Sequence, residues 1–138
     1  MASKHQMTGM LGVYLTAAEL THKGLIVSIT SRNARGADLL ATDQSYKRTW
    51  SIQVKTNRKP AGFWLLNKNF KTEVARHHIY IFVNLRGNMR PDYYVVPSRD
   101  VSRTGRKSKS GTGSIWYIYW LDPRYRDRWS VFGPPQPN

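Results

Sequence analysis

Residues 36–43 read GADLLATD and residues 51–57 read SIQVKTN, and the way these two stretches pair decides the fold. Ala37–Thr42 and Thr49–Thr56 have the length and apolar, β-branched content of strands, joined by a short polar connection containing Asp43, Gln44 and Ser45. Side chains two apart on a strand share a face. Ile52 and Val54 therefore point into a core, while Gln53 and Lys55 point together to the other side. Asp38, near the start of the preceding strand, is placed to lie beside them. A carboxylate, an amide oxygen and an ammonium then surround one pocket on an otherwise apolar hairpin.

That donor set suits a hard divalent cation, which prefers oxygen ligands and keeps several waters. Asp38 would supply the anionic ligand, Gln53 a neutral oxygen and the Val54 backbone carbonyl a further one. Lys55 would sit over the site, lowering the pKa of an attacking water or steadying a phosphate. Metal-assisted phosphodiester hydrolysis has a use for each of these groups.

Working outward, Met7, Met10, Leu11, Tyr14, Leu15 and Ala18 recur at helical spacing, so a helix is predicted over residues 7–23, stopped by Gly24. A strand follows at Leu25–Ile29. Asn57–Gly62 reads as a basic, proline-containing loop. His78–Leu85 (HIYIFVNL) is the near-continuous apolar run of a strand buried on both faces. Tyr93–Val96 is a further strand and Ile115–Trp120 (IWYIYW) an aromatic one. A last short helix is predicted over Asp122–Trp129. The stretch 98–114, rich in Ser, Gly and base, reads as a mobile basic loop. Residues 1–132 are expected to form one domain, with 133–138 a flexible tail.

Composition bounds the function. The 138 residues carry 22 Lys and Arg against 8 Asp and Glu, a formal charge of +14, with 40% hydrophobic residues. That is an ordinary globular balance with an excess of cations, expected of a domain that meets a polyanion. Having no Cys excludes disulfide scaffolds, thiolate zinc sites and cysteine nucleophiles. No apolar run reaches the roughly 18 residues of a spanning helix. The run from Met7 to Ala18 is too interrupted to read as a signal peptide, and a cytoplasmic protein with no membrane partner is expected. Nucleic acid is the expected partner. Arg103, Arg106, Lys107 and Lys109 lie among Ser and Gly in the basic loop, and Arg32, Arg35, Arg58 and Lys59 flank the pocket in sequence, as a phosphate track would.

The hairpin and its surroundings resemble the PD-(D/E)XK nuclease superfamily, in particular small bacterial proteins similar to Holliday-junction resolvases. The similarity runs from about Thr8 to Leu85: an amphipathic helix, a strand, GADLLA carrying the motif Asp, and IQVKT in place of the usual (D/E)xK. It implies an α+β, mixed α/β fold with a restriction-endonuclease-like core, its N-terminal helix packed on a mixed central sheet. It also implies a DNA endonuclease using magnesium or manganese, with Asp38 as metal ligand, Gln53 at the second ligand position and Lys55 as the catalytic lysine. Junction cleavage would favour a homodimer, since two strands must be cut symmetrically.

Two residues depart from the pattern. Gln53 occupies the acidic position of the third motif. Val13 falls where relatives often carry a Glu in the first helix. Glu19 is the only carboxylate before Asp38, so it is the candidate substitute by a shifted helix register, although it lies roughly 120° around the helix from Val13. Simpler readings stand beside these. Asp38 could be a turn residue, Gln53 and Lys55 the solvated face of an edge strand, Glu19 a solvated helix residue, and His77 and His78 strand-entry residues. A rival function keeps the fold without the chemistry: a non-catalytic DNA- or RNA-binding module.

Overall fold

The computed structural model describes residues 2–31 and 37–134. Helix α1 (Lys4–His22) begins three residues earlier than its apolar periodicity predicts. The reason is a reciprocal cap: the Gln6 amide donates to Ser3 Oγ at 3.1 Å, and the Ser3 amide donates to Gln6 Oε1 at 2.9 Å. The cap is polar and leaves no trace in a hydrophobic pattern. The helix stops where predicted, with Gly24 at φ 92°.

Strands β1 (Ile26–Ile29), β2 (Leu39–Thr42) and β3 (Thr49–Asn57) form an antiparallel meander. The short strand β4 (Phe63–Leu65) then leaves for a second sheet. The chain returns as β5 (His78–Arg86), parallel to β3, and turns back as β6 (Met89–Pro97). The central sheet is therefore mixed, in the order β1-β2-β3-β5-β6. β5 is buried along its length except at Arg86, as its unbroken apolar run predicts.

The segment expected to be a mobile loop is corrected by the structure. It folds into helix α2 (Ser98–Thr104) and strand β7 (Arg106–Lys109), which pairs with β8 (Ile115–Trp120). With β4 these make the second sheet, β4-β8-β7. Sequence periodicity could not show this: α2 buries only Ser98 and Val101, and every residue of β7 is exposed. The predicted C-terminal helix is instead two 3-10 turns, Pro123–Tyr125 and Trp129–Phe132. The predicted tail falls largely outside the described residues.

The central sheet separates two cores. Against α1 lie Ile52, Val54, Ile79, Ile81 and Val83, with Leu20 from the helix and Phe132 closing the end. The helix backbone approaches β3 so closely that a Cβ on Gly12 would meet Thr56 Oγ1 at 1.8 Å. The opposite face packs on the second sheet through aromatic rings, Phe82 stacking on Tyr119 at 4.3 Å. Among the described residues no helix is long and apolar enough to cross a membrane.

Candidate active site

The register of the hairpin places the predicted residues as their spacing requires. Leu39 pairs with Ile52, both in the aliphatic core, so Asp38 is carried to the level of Gln53 just beyond the end of β2. The Asp38 amide donates to the Ile52 carbonyl at 2.8 Å, continuing the ladder by one bond. Its side chain then replaces the missing strand: the Val54 amide donates to Asp38 Oδ2 at 2.7 Å. A residue's N–H and C=O leave an extended strand on the same edge. The Val54 carbonyl therefore projects on the edge where Asp38 is held.

Gln53 and Lys55 face away from Ile52 and Val54, beside their β5 partners Tyr80 and Phe82. Gln53 is only 6% exposed, and its Oε1 accepts no hydrogen bond. A buried amide oxygen without a donor costs about 1–3 kcal/mol, so the position is unfavourable for folding alone. Lys55 Nζ donates to Asn67 Oδ1 at 3.2 Å. Burial pulls the Lys55 ammonium below the ordinary lysine range, and the negative charges of Asp38 and Glu73 act against that pull. The reading of Gln53 and Lys55 as a solvated edge face does not hold, because β3 is an interior strand and Gln53 is enclosed.

Two residues back along the same face of β3, Ser51 Oγ lies 2.7 Å from His78 Nδ1. Burial lowers the His78 pKa against the opposing influence of Glu73, a hydrogen bond to the Ser51 backbone and Asp38. His77 stays outside, stacked on Trp50 at 5.9 Å. Tyr80 is pushed up to about 12 by burial and by the charge of Glu73. The sequence reading did not select Glu73, which sits on the irregular connection between β4 and β5.

Glu19 is not brought to this group. Its Oε1 accepts from Arg90 Nη2 at 2.5 Å, and the same guanidinium nitrogen reaches Asp127 Oδ1 at 3.3 Å. The acid thus ties the last turns of α1 to β6 and the C-terminal turns, at the far end of the helix. Val13 does border the site: it lines a cleft with Asp38, Val54, Met10 and Gly9 while also packing on the aliphatic core.

The residues expected along a phosphate track divide into three kinds. Arg58, Lys59, Lys107 and Lys109 are exposed. Arg103 pairs with Asp100 at 3.2 Å, and Arg106 Nη1 donates to the carbonyls of Arg103, Thr104 and Gly105, closing the end of α2. Arg32 and Arg35 lie outside the described residues.

The donor set fits a hard divalent cation. Asp38 is anchored through one oxygen, a buried amide oxygen lacks a donor, and a carbonyl lies on the same edge. Among the described residues no three His, Cys, Asp or Glu side chains converge on one point. Any ion would therefore depend on the amide and the carbonyl as well as on carboxylate.

No family model matches the chain, and no curated protein matches it in sequence. Its architecture does have solved counterparts. A bacterial homing endonuclease, I-Ssp6803I, superposes with a TM-score of 0.57 at 17% identity, over 96% of this chain and 92% of that one. The fold is the restriction-endonuclease-like fold. A Holliday junction resolvase from the archaeal hyperthermophile Archaeoglobus fulgidus also matches, with a TM-score of 0.47 at 11% identity over 81% of this chain and 88% of that one. Within the restriction-endonuclease-like fold, Asp38 and Lys55 occupy the end of the hairpin where β2 stops and β3 continues.

Proposed function

We propose that the chain is a DNA endonuclease that hydrolyses phosphodiesters with magnesium or manganese. One observation carries this reading. Gln53 Oε1 is buried without a donor in the same small region where Asp38 is fixed on the Val54 amide and Lys55 is partly desolvated. Ladder continuation accounts for the Asp38–Val54 bond but not for the donorless Gln53 oxygen or the desolvated Lys55, whereas a cation site uses all three.

Asp38, Gln53 and the Val54 carbonyl would hold the ion. When bound, it would polarise the scissile phosphate and acidify an attacking water. Asp38, kept in place by the Val54 N–H, fixes where the phosphate can sit. Lys55, steadied by Asn67, orients that water and offsets the charge that builds on the phosphoryl oxygens. In the reaction one water O–H bond breaks and its proton passes to solvent. The water oxygen bonds to phosphorus as the bond from phosphorus to the sugar oxygen breaks, and that departing oxygen takes a proton from solvent. Arg58, Lys59, Lys107 and Lys109 supply exposed cations for the sequence-independent share of DNA binding. Cutting both strands of a symmetric substrate would take two copies of the chain.

Supercoiled and branched DNA incubated with manganese tests the reading. The wild type is expected to cut, and Asp38→Ala and Lys55→Ala to lose about 100-fold or more in rate while retaining DNA in a mobility-shift assay. Persistent cutting by either variant overturns the residue assignment. The second reading, a DNA-binding module without chemistry, is favoured by the lack of three converging acidic or imidazole side chains among the described residues. A wild type that binds DNA and never cuts any substrate would establish it.

A further inference from the structure

The acid missing from β3 and from the first helix has a candidate on neither element. Glu73 stands on the connection between β4 and β5, where its amide donates to the Asn69 carbonyl at 3.0 Å. With Ser51, Asn69 and His78 it lines an open cleft of about 410 Å³. Ser51 and His78 are register partners on β3 and β5, and they share their face with Gln53, Tyr80 and Lys55. Glu73 therefore overhangs the face of the sheet that carries Gln53 and Lys55.

Its surroundings are unusual for a carboxylate in so basic a chain. None of the ion pairs among the described residues uses Glu73. Its Oε2 is buried and accepts no hydrogen bond. Gln53 Oε1 is in the same condition on the same face. An enclosed carboxylate oxygen and an enclosed amide oxygen, each without a donor, are both relieved by a cation placed between the connection and the sheet. Asp38, one residue beyond the Leu39–Ile52 pair, stands level with Gln53 at the β2 edge of the same strand.

We infer that Glu73 supplies the second carboxylate of the metal site, with Asp38, Gln53 and the Val54 carbonyl completing its oxygen ligands. The inference rests on the endonuclease reading above and extends it. It assigns the negative charge that Gln53 fails to provide to a residue reached through the crossover between parallel strands. Two carboxylates with an amide and a carbonyl are an oxygen set suited to magnesium or manganese, which tolerate water in the remaining positions.

Manganese titrations of the free protein, followed by calorimetry, read this without any cleavage assay. Glu73→Gln keeps the shape and removes the charge, and its affinity for manganese is expected to fall about 10-fold or more. Its melting temperature in chelator is expected to stay level or rise. Glu73→Asp, which retains the charge, should keep part of the affinity. Adding Gln53→Glu to Glu73→Gln should restore manganese binding, a rescue that a purely structural role would not produce.

Asp38→Asn separates this inference from the reading beneath it. If Asp38→Asn loses manganese and Glu73→Gln does not, the role of Glu73 is overturned and the endonuclease reading stands. A wild type that binds no manganese overturns both. A double variant that folds, by its melt, yet stays unable to bind the ion also counts against Glu73.

Discussion

The octapeptide of residues 36–43 contains two aspartates, and the hairpin treats them in opposite ways. Asp43, at the closed end between β2 and β3, is 3% exposed and fully engaged. Its Oδ1 accepts from the amides of Lys47 and Arg48 at 2.9 and 3.2 Å, and its Oδ2 from Arg48 Nε at 3.3 Å. Asp38, at the open end, holds one backbone amide and shares its neighbourhood with a donorless Gln53 and a partly desolvated Lys55. Five residues apart, one carboxylate closes a turn and the other borders a region whose polar groups are left incomplete. Polar satisfaction is what distinguishes the acid that closes the turn from the acid proposed to hold a cation.

The open end depends on helix α1 being seated tightly on β3, and that seat is the most sensitive point in the comparison. Gly12→Ala would place a methyl 1.8 Å from Thr56 Oγ1. Threonine is stiff at χ1 and cannot swing aside freely, so the helix must move. A loss of about 1–3 kcal/mol is expected, although alanine favours a helix over glycine by about 1 kcal/mol. Urea unfolding measures it, and a stabilised variant would show that the helix does not rest on β3 at Gly12.

Legibility followed the same division. The hairpin could be read from sequence because its alternation is local: Ile52 and Val54 against Gln53 and Lys55 is a two-residue period, and Asp38 follows from the pairing. The reading failed where long-range structure determines the outcome. Glu73 lies in the irregular connection 66–77, and only the parallel return of β5 beside β3 brings it over the face where Ser51 and His78 pair. Strand β4 has three residues, too few for a period to declare itself. The basic stretch read as a mobile loop because the exposed residues of β7 offer no apolar face, although β8 is there to pair with them. Glu19 was the sole acid available on the first helix, yet Arg90 lies 71 residues away in sequence and no local pattern announces their pairing.

A second experiment sharpens the contrast by removing the incompleteness. Gln53→Leu preserves approximate volume and deletes the amide oxygen that lacks a donor. In chelator the variant should be more stable by about 1 kcal/mol, because burying an unsatisfied acceptor costs roughly that much or more. Manganese binding should be lost at the same time. Thermal melts with and without the ion test both halves. A Gln53→Leu protein that is destabilised in chelator would mean that the amide has a structural partner, and the site would lose its main support.

The smallest effect concerns the closed end and its dependence on acid. Burial pulls the Asp43 carboxyl upward, but the amides of Arg48 and Lys47 and the Arg48 guanidinium more than offset this, leaving its pKa below the ordinary 3.8. A carboxyl depressed in the folded state binds fewer protons there than in the unfolded chain, so it stabilises the fold at pH values above the unfolded value. That stabilisation is complete above about pH 4–5 and disappears as pH falls through the lower, folded value. Asp43→Asn removes the titration and weakens the acceptor for Arg48, so the variant should melt slightly below the wild type at pH 7. The gap should narrow as both are acidified and close once the pH falls below the depressed folded value, because the wild-type turn then also holds a neutral side chain. Melting curves from pH 7 to pH 2.5 read this directly. A gap that stays constant across that range would show that the turn is held by shape and hydrogen bonding alone, and that the charge of Asp43 contributes nothing to closing the hairpin.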